Sequence, residues 1–130
     1  PYRSVNCRFL YCALTGQPYT VFRGHHRTST YLADTVRTAA NISENFKAGE
    51  TYNIGGAHHH SIEELSDVVL RVTGADSSLV EHRESEILTT KIKRVDISKS
   101  VRDLDHKNSY SLEDGMRITA DWMRQVYNLK

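Results

Sequence analysis

Gly16-Gln17-Pro18-Tyr19-Thr20-Val21-Phe22 changes character twice within seven residues. Gly16 can take the left-handed conformation that ends a helix, and Pro18 cannot continue one. Tyr19 to Phe22 is aromatic and β-branched, which suits a short strand. Before the glycine, Val5, Phe9, Cys12 and Ala13 form an apolar stripe, so a helix is expected from Ser4 to Thr15. After the strand, Gly24 breaks the pattern, and a second polar-aromatic and β-branched run covers Thr28 to Leu32. Asp34 reads as the N-cap of a helix from Thr35 to Glu44, with Val36, Ala39, Ala40 and Ile42 on one side.

Further along, Lys47-Ala48-Gly49 is a turn, and Thr51-Tyr52-Asn53-Ile54 is a strand stopped by Gly55-Gly56. Ser61-Ile62-Glu63-Glu64 has the form of a capping box, in which the Ser61 hydroxyl accepts from the Glu64 amide and the Glu64 carboxylate reaches back. Ile62, Leu65, Val69 and Val72 make the stripe of a helix that Gly74 closes. Ser78–His82 and Ile92–Asp96 are strand-like, and Ser98–Leu104 is a short helix. Ser111-Leu112-Glu113-Asp114 opens a last helix with a stripe of Leu112, Met116, Thr119, Met123 and Val126, with Trp122 alongside. Gly115 inside that helix costs about 1 kcal/mol against alanine, which points to close backbone packing. The whole is a mixed α/β chain of four to five helices with short strands, in an order that periodicity does not set.

Composition narrows the classes. The 130 residues carry 17 Lys+Arg against 16 Asp+Glu, a formal charge of +1. Residues 1–65 hold six basic and five acidic side chains, and residues 66–130 eleven of each. Neither half is a charged tail, which argues against nucleic acid as the main partner. Hydrophobic residues at 38% and charged residues at 25% fit a soluble, folded, cytoplasmic chain. The longest uncharged run, Phe9 to Phe22, is too short and too broken to span a bilayer. Cys7 and Cys12 lie five apart, on different sides of a helix, and read as reduced thiols. His58-His59-His60 cannot converge on one metal, because neighbouring side chains diverge. Lys91-Ile92-Lys93-Arg94, beside Asp96, reads as a solvated face. The chain opens on Pro1 without a methionine and enters a helical pattern at once, as a segment of something longer would.

The order of motifs carries more than each motif alone. Gly16 to Phe22, Gly24, Arg27-Thr28, Tyr31-Leu32-Ala33-Asp34, Tyr52-Asn53-Ile54-Gly55-Gly56 and Ser61-Ile62-Glu63-Glu64-Leu65 come first. Arg83, Asp96-Ile97-Ser98-Lys99-Ser100, Leu104 and Leu112-Glu113-Asp114-Gly115 follow. Together, over nearly the whole chain, they resemble the C-terminal half of the extended short-chain dehydrogenase/reductases, the NAD-dependent nucleotide-sugar epimerases and dehydratases. The sequence departs from that pattern at His25-His26, where the family has small polar residues, and at Asp105, where it has glycine.

The resemblance implies the substrate-binding portion of an extended Rossmann-type enzyme. Its N-terminal dinucleotide-binding domain would be absent from residues 1–130, and NAD(P) would be held by that missing part. The seven glycines form no G-x-x-G-x-x-G, and no tyrosine has a lysine four residues on, so no catalytic residue is expected in this chain and the isolated fragment should be inactive. A pyrophosphate wants planar, bidentate donors, which arginine supplies. Arg27 matches the family's first phosphate arginine, and Arg83 its second, although Glu81, Glu84 and Glu86 are also placed to pair with Arg83. Tyr19, Thr20 and Val21 match the strand that lies against the nucleotide base, and His58 a polar position near the pyrophosphate. Phe22 and Asn53 read as structural. The partner implied is a nucleotide-sugar, with a homodimeric parent enzyme and no membrane. Thr51–Ile54 and the helix after Ser61 would pack in part against the missing domain, leaving apolar surface exposed here. A stand-alone, non-enzymatic binding module is the alternative.

Overall fold

A computed structural model describes residues 4–45, 47–85 and 88–129. Among them the elements run α1 (Val5–Thr15), β1 (Tyr19–Phe22), β2 (His26–Thr28), α2 (Leu32–Asn45), β3 (His59–Ser61), α3 (Ile62–Thr73), β4 (Val80–Arg83), α4 (Ser98–Leu104) and α5 (Leu112–Tyr127). This is the mixed α/β chain with five helices and short strands that the sequence leads one to expect.

Local signals account for the helix ends. Gly16 closes α1 and Gly74 closes α3, both in the left-handed region at φ 66° and 72°. Ser61 Oγ accepts the Glu64 amide at 2.9 Å, but the Glu64 carboxylate goes to His58 Nε2 at 2.9 Å rather than back to the cap. Only half of that box therefore forms. The box at α5 is complete, with the Ser111 hydroxyl and the Asp114 carboxylate bonded reciprocally.

The helices α1, α3 and α5 pack round β1. Phe9, Leu10, Tyr19, Val21, Leu65, Val69, Met116, Ala120 and Met123 form one core. Leu10, Val21, Leu65, Val69 and Met123 are completely enclosed, each worth about 1.5–3 kcal/mol of burial. Ala120 rather than Val126 completes the α5 stripe, since Val126 is half exposed.

Each sheet has two strands. β1 pairs with β4 in parallel, Tyr19 against Val80 and Phe22 against Arg83. β2 pairs with β3 antiparallel, Arg27 against His60. The second strand is thus His26–Thr28 and not Thr28–Leu32, because its ladder partners are His59 to Ser61, a segment without apolar alternation. Strand β4 begins at Val80, after a 3₁₀ turn over Ser77–Leu79 that Asp76 caps. Thr51–Ile54 joins no ladder among the described residues, and of the 92–96 run only Ile92 bridges to His26.

Helix α2 departs furthest from expectation. It starts at Leu32, and Asp34 lies in its first turn, 1% exposed, instead of capping it. Val36 is 57% exposed, while Asp34 and Thr38 are buried. The buried face is polar because its partners are polar. Asp34 accepts the amide of Ser109, Thr38 meets His106 Nδ1 at 2.7 Å, and Asn41 donates to the Leu104 carbonyl. His106 Nε2 donates to the Gly55 carbonyl at 2.8 Å. Exposed apolar residues include Leu32 and Val36 on α2, Val101 on α4, Ile118 and Trp122 on α5, and Ile92 and Val95 between β4 and α4, while α3 keeps its stripe in this chain's own core.

Candidate functional site

The β1–β2 turn is seated on the start of α3. Gly24 donates its amide to Glu63 Oε1 at 2.9 Å, and the His25 carbonyl accepts the Ile62 amide at 2.8 Å. Burial pushes the Glu63 carboxyl up, but the Gly24 amide, its own amide and the Ser61 hydroxyl outweigh burial and leave it lowered. From this fixed turn β2 carries Arg27 past the 91–93 segment, which is held by His26 N–H to the Lys91 carbonyl and Lys93 N–H to the His26 carbonyl.

Arg27 is half-buried and its guanidinium is tethered at one corner. Nη1 donates to the carbonyls of His26 at 2.7 Å and Lys91 at 2.9 Å. Nη2 reaches His25 Nδ1 at 3.5 Å. Nε has no partner among the described residues, and Nη2 keeps a second hydrogen. A planar, bidentate edge is left for an anion.

The opposite face of the β2–β3 ribbon carries two stacked imidazoles. His26 stacks on His59 with ring centroids 5.3 Å apart. The His59 imidazole is pushed below its ordinary value by burial, and further by His26, Arg94, His60 and His58. Its Nε2 is buried without a hydrogen-bond partner among the described residues. His58 is exposed and paired with Glu64. His59 and His60 belong to β3, with side chains to opposite faces.

The remaining predicted residues fall in different places. Arg83 ends β4, its side chain 64% exposed and bonded to Glu81 at 3.1 Å. Its carbonyl accepts the Arg23 amide at 2.9 Å, so the end of β4 lies against the β1–β2 turn. Glu86 lies outside the described residues. The Tyr19 ring is in the core, 4.5 Å from Phe9, with its hydroxyl bonded to Ser66, and Val21 is fully buried. Burial raises the Tyr19 hydroxyl pKa. Neither side chain can face a base. Thr20 and Phe22 alternate to the half-buried side of β1.

Two features carry no signature in the sequence. A cavity of about 490 Å³ opens between the 29–32 segment and α5, lined among others by Tyr31, Leu32, Met116, Ile118 and Trp122. At its edge Ser29 Oγ accepts from Asn6 Nδ2 at 3.0 Å and contacts buried His60 Nε2 at 2.8 Å, while His60 Nδ1 donates to the Ser61 carbonyl. Because that carbonyl only accepts, Nε2 is the acceptor in the neutral ring and Ser29 donates to it. Gly56 packs on the same backbone: a Cβ there would stand 1.9 Å from the Ser29 carbonyl oxygen. No group of three metal-ligating side chains converges among the described residues, and none of their helices is long and apolar enough to cross a membrane.

This architecture is that of known epimerases and dehydratases. The chain superposes on the UDP-glucuronic acid 4-epimerase of Bacillus cereus, solved with UDP-glucuronic acid and NAD, with a TM-score of 0.84 and 29% identity, over 96% of this chain and 41% of that one. It is 28% identical to the UDP-N-acetyl-alpha-D-glucosaminuronate decarboxylase of Bacillus cytotoxicus over 98% of this chain and 42% of that protein. It is 32% identical to the dTDP-glucose 4,6-dehydratase of Streptomyces griseus over 71% of this chain and 28% of that protein. No family model matches the chain. The chain is a relative of the extended short-chain dehydrogenase/reductases, the NAD-dependent nucleotide-sugar epimerase/dehydratase family, and corresponds to their C-terminal part. It spans well under half the length of these curated relatives.

Proposed function

We propose that this chain is the substrate-binding part of an NAD(P)-dependent nucleotide-sugar epimerase or 4,6-dehydratase, and that it clamps the nucleoside diphosphate. The observation that carries the reading is Arg27, tethered through Nη1 to two backbone carbonyls with Nε and one Nη2 hydrogen left over. A guanidinium already held in place loses little freedom on gripping a pyrophosphate. Arg83 joins the clamp by exchanging Glu81 for phosphate, and His58 by exchanging Glu64. Contact with the base falls to the β1 backbone, Thr20 and Phe22.

The described residues do not fit a dinucleotide. They hold no strand followed by a glycine-rich turn and a helix, and their sheets have two strands each. Redox chemistry is therefore assigned to another part of the enzyme, and homodimer formation to the whole enzyme.

Calorimetric titration of the intact enzyme with UDP-, dTDP-, GDP- and CDP-sugars tests the proposal. One nucleotide class should bind with a Kd of about 1 µM to 1 mM, the range of ordinary substrates. The corresponding nucleoside should bind far more weakly. Binding indifferent to the pyrophosphate, or none at all, overturns the reading.

A further inference from the structure

We infer that His25 is the positioning residue that aims Arg27 at the anion, and that it does so by coupling Arg27 to Ser85. The inference rests on the reading of Arg27 given above. His25 is 5% exposed and belongs to the turn between β1 and β2, not to either strand. Its carbonyl is bonded to the Ile62 amide, which fixes the turn, and its ring packs 6.1 Å from the Phe22 ring.

The contacts among the described residues give each ring nitrogen a role. Arginine only donates, so His25 Nδ1 accepts from Arg27 Nη2. The neutral ring then carries its proton on Nε2, which donates to Ser85 Oγ at 2.9 Å. Two carbonyls on Nη1 pin one corner of the guanidinium. A third contact on Nη2 sets its rotation about that corner, and so the direction of the Nε edge. Ser85 lies two residues beyond Arg83, and the same link ties the end of β4 to the first arginine. Small polar residues could not span this gap, whereas an imidazole offers an acceptor and a donor on opposite sides of one rigid ring.

The test is a double-mutant cycle on the intact enzyme, read as the Kd for UDP, dTDP, GDP or CDP, whichever binds most tightly. Arg27→Ala should weaken binding about a hundredfold and His25→Ala about tenfold, the sizes expected for a charge-assisted fork and for its orientation. The double variant should bind no worse than Arg27→Ala alone, because an aiming residue has nothing left to aim. His25→Asn keeps an acceptor for Arg27, since its Oδ1 stands where Nδ1 stood, but loses the donor to Ser85, and should recover only part of the affinity. His25→Gln places its nitrogen toward Ser85, offers no acceptor to Arg27, and should behave like alanine. If His25→Ala does not fold, the Asn and Gln variants make the same comparison. Additive losses in the double variant, or equal affinity of the Asn and Gln variants, overturn the inference. Wild-type affinity in Arg27→Ala overturns the underlying reading instead.

Discussion

Asp34 Oδ2 accepts the backbone N–H of Ser109 at 3.0 Å, joining the first turn of α2 to the segment that leads into α5. The same oxygen takes the Tyr110 amide at 3.4 Å, and Oδ1 takes Arg37 Nη2 at 3.2 Å. With the side chain 1% exposed, these donors replace the water that the carboxylate gave up. Asp34→Asn turns an acceptor into a donor among donors. It should cost about 2–3 kcal/mol, read as a lower urea midpoint at unchanged m. A loss under about 0.5 kcal/mol would show that the α2–α5 joint does not depend on this carboxylate.

Asp103 sets an acid limit. Arg102 bonds both its oxygens, at 2.7 and 3.1 Å, with Tyr52 at 3.2 Å and Lys47 at 3.5 Å. Arg102 above all, helped by Lys47 and Tyr52 and opposed by burial, holds the carboxyl down from 3.8 to about 2. A carboxyl depressed by folding stabilises the fold above its unfolded value, and loses that contribution as pH falls through its folded value. Melting temperature should therefore fall between pH 3.8 and about 2. In Asp103→Asn that part of the fall should vanish, while the melting temperature near neutrality should be lower. Parallel wild-type and variant curves across that window would rule Asp103 out as the titrating group.

Gly115 gives a prediction of opposite sign. A Cβ there would stand 3.4 Å from Tyr31 Cδ2, an ordinary contact, so close backbone packing is not what selects glycine. Gly115→Ala should stabilise the protein by about 0.5–1 kcal/mol through helix propensity, with the added methyl on the cavity wall. A destabilised variant would show that the Tyr31 ring cannot yield.

What was legible in the sequence follows the range of the forces involved. Helix α3 could be read because Ser61, the Ile62–Leu65–Val69 stripe and Gly74 act within a turn or two of one another. Strands β2 and β3 could not, since His26-Arg27-Thr28 and His59-His60-Ser61 have no alternating apolar face, and their pairing is set across some thirty residues. The buried face of α2 was misread for a related reason. Asp34 and Thr38 go inside because Ser109 and His106 arrive from far along the chain to satisfy them. Arg27 stands out in the sequence through its motif. The Lys91 carbonyl that tethers it does not, because a backbone acceptor leaves no trace in residue type.

That tether shapes what Arg27 variants should do. Arg27→Ala removes the proposed fork on the pyrophosphate and also two bonds to carbonyls of β2 and the 91 segment. A lower melting temperature is therefore expected whether or not Arg27 meets substrate, at about 1 kcal/mol per neutral carbonyl partner left to water. Stability alone cannot discriminate, but kinetics can. The pyrophosphate is remote from the sugar carbon at which such enzymes react, so its grip is shared by ground and transition states. Losing it should raise KM for the nucleotide-sugar with kcat little changed. Charge-assisted bonds are worth roughly 1.5–3 kcal/mol each, so KM should rise at least tenfold. Arg27→Lys can keep a carbonyl contact, and with it much of the melting temperature. Its ammonium cannot present two parallel donors, so KM should stay high. Steady-state kinetics of both variants in the intact enzyme, at a temperature where both are folded, provides the check. A lysine variant with restored stability and a wild-type KM would show that Arg27 serves its own backbone and not the substrate.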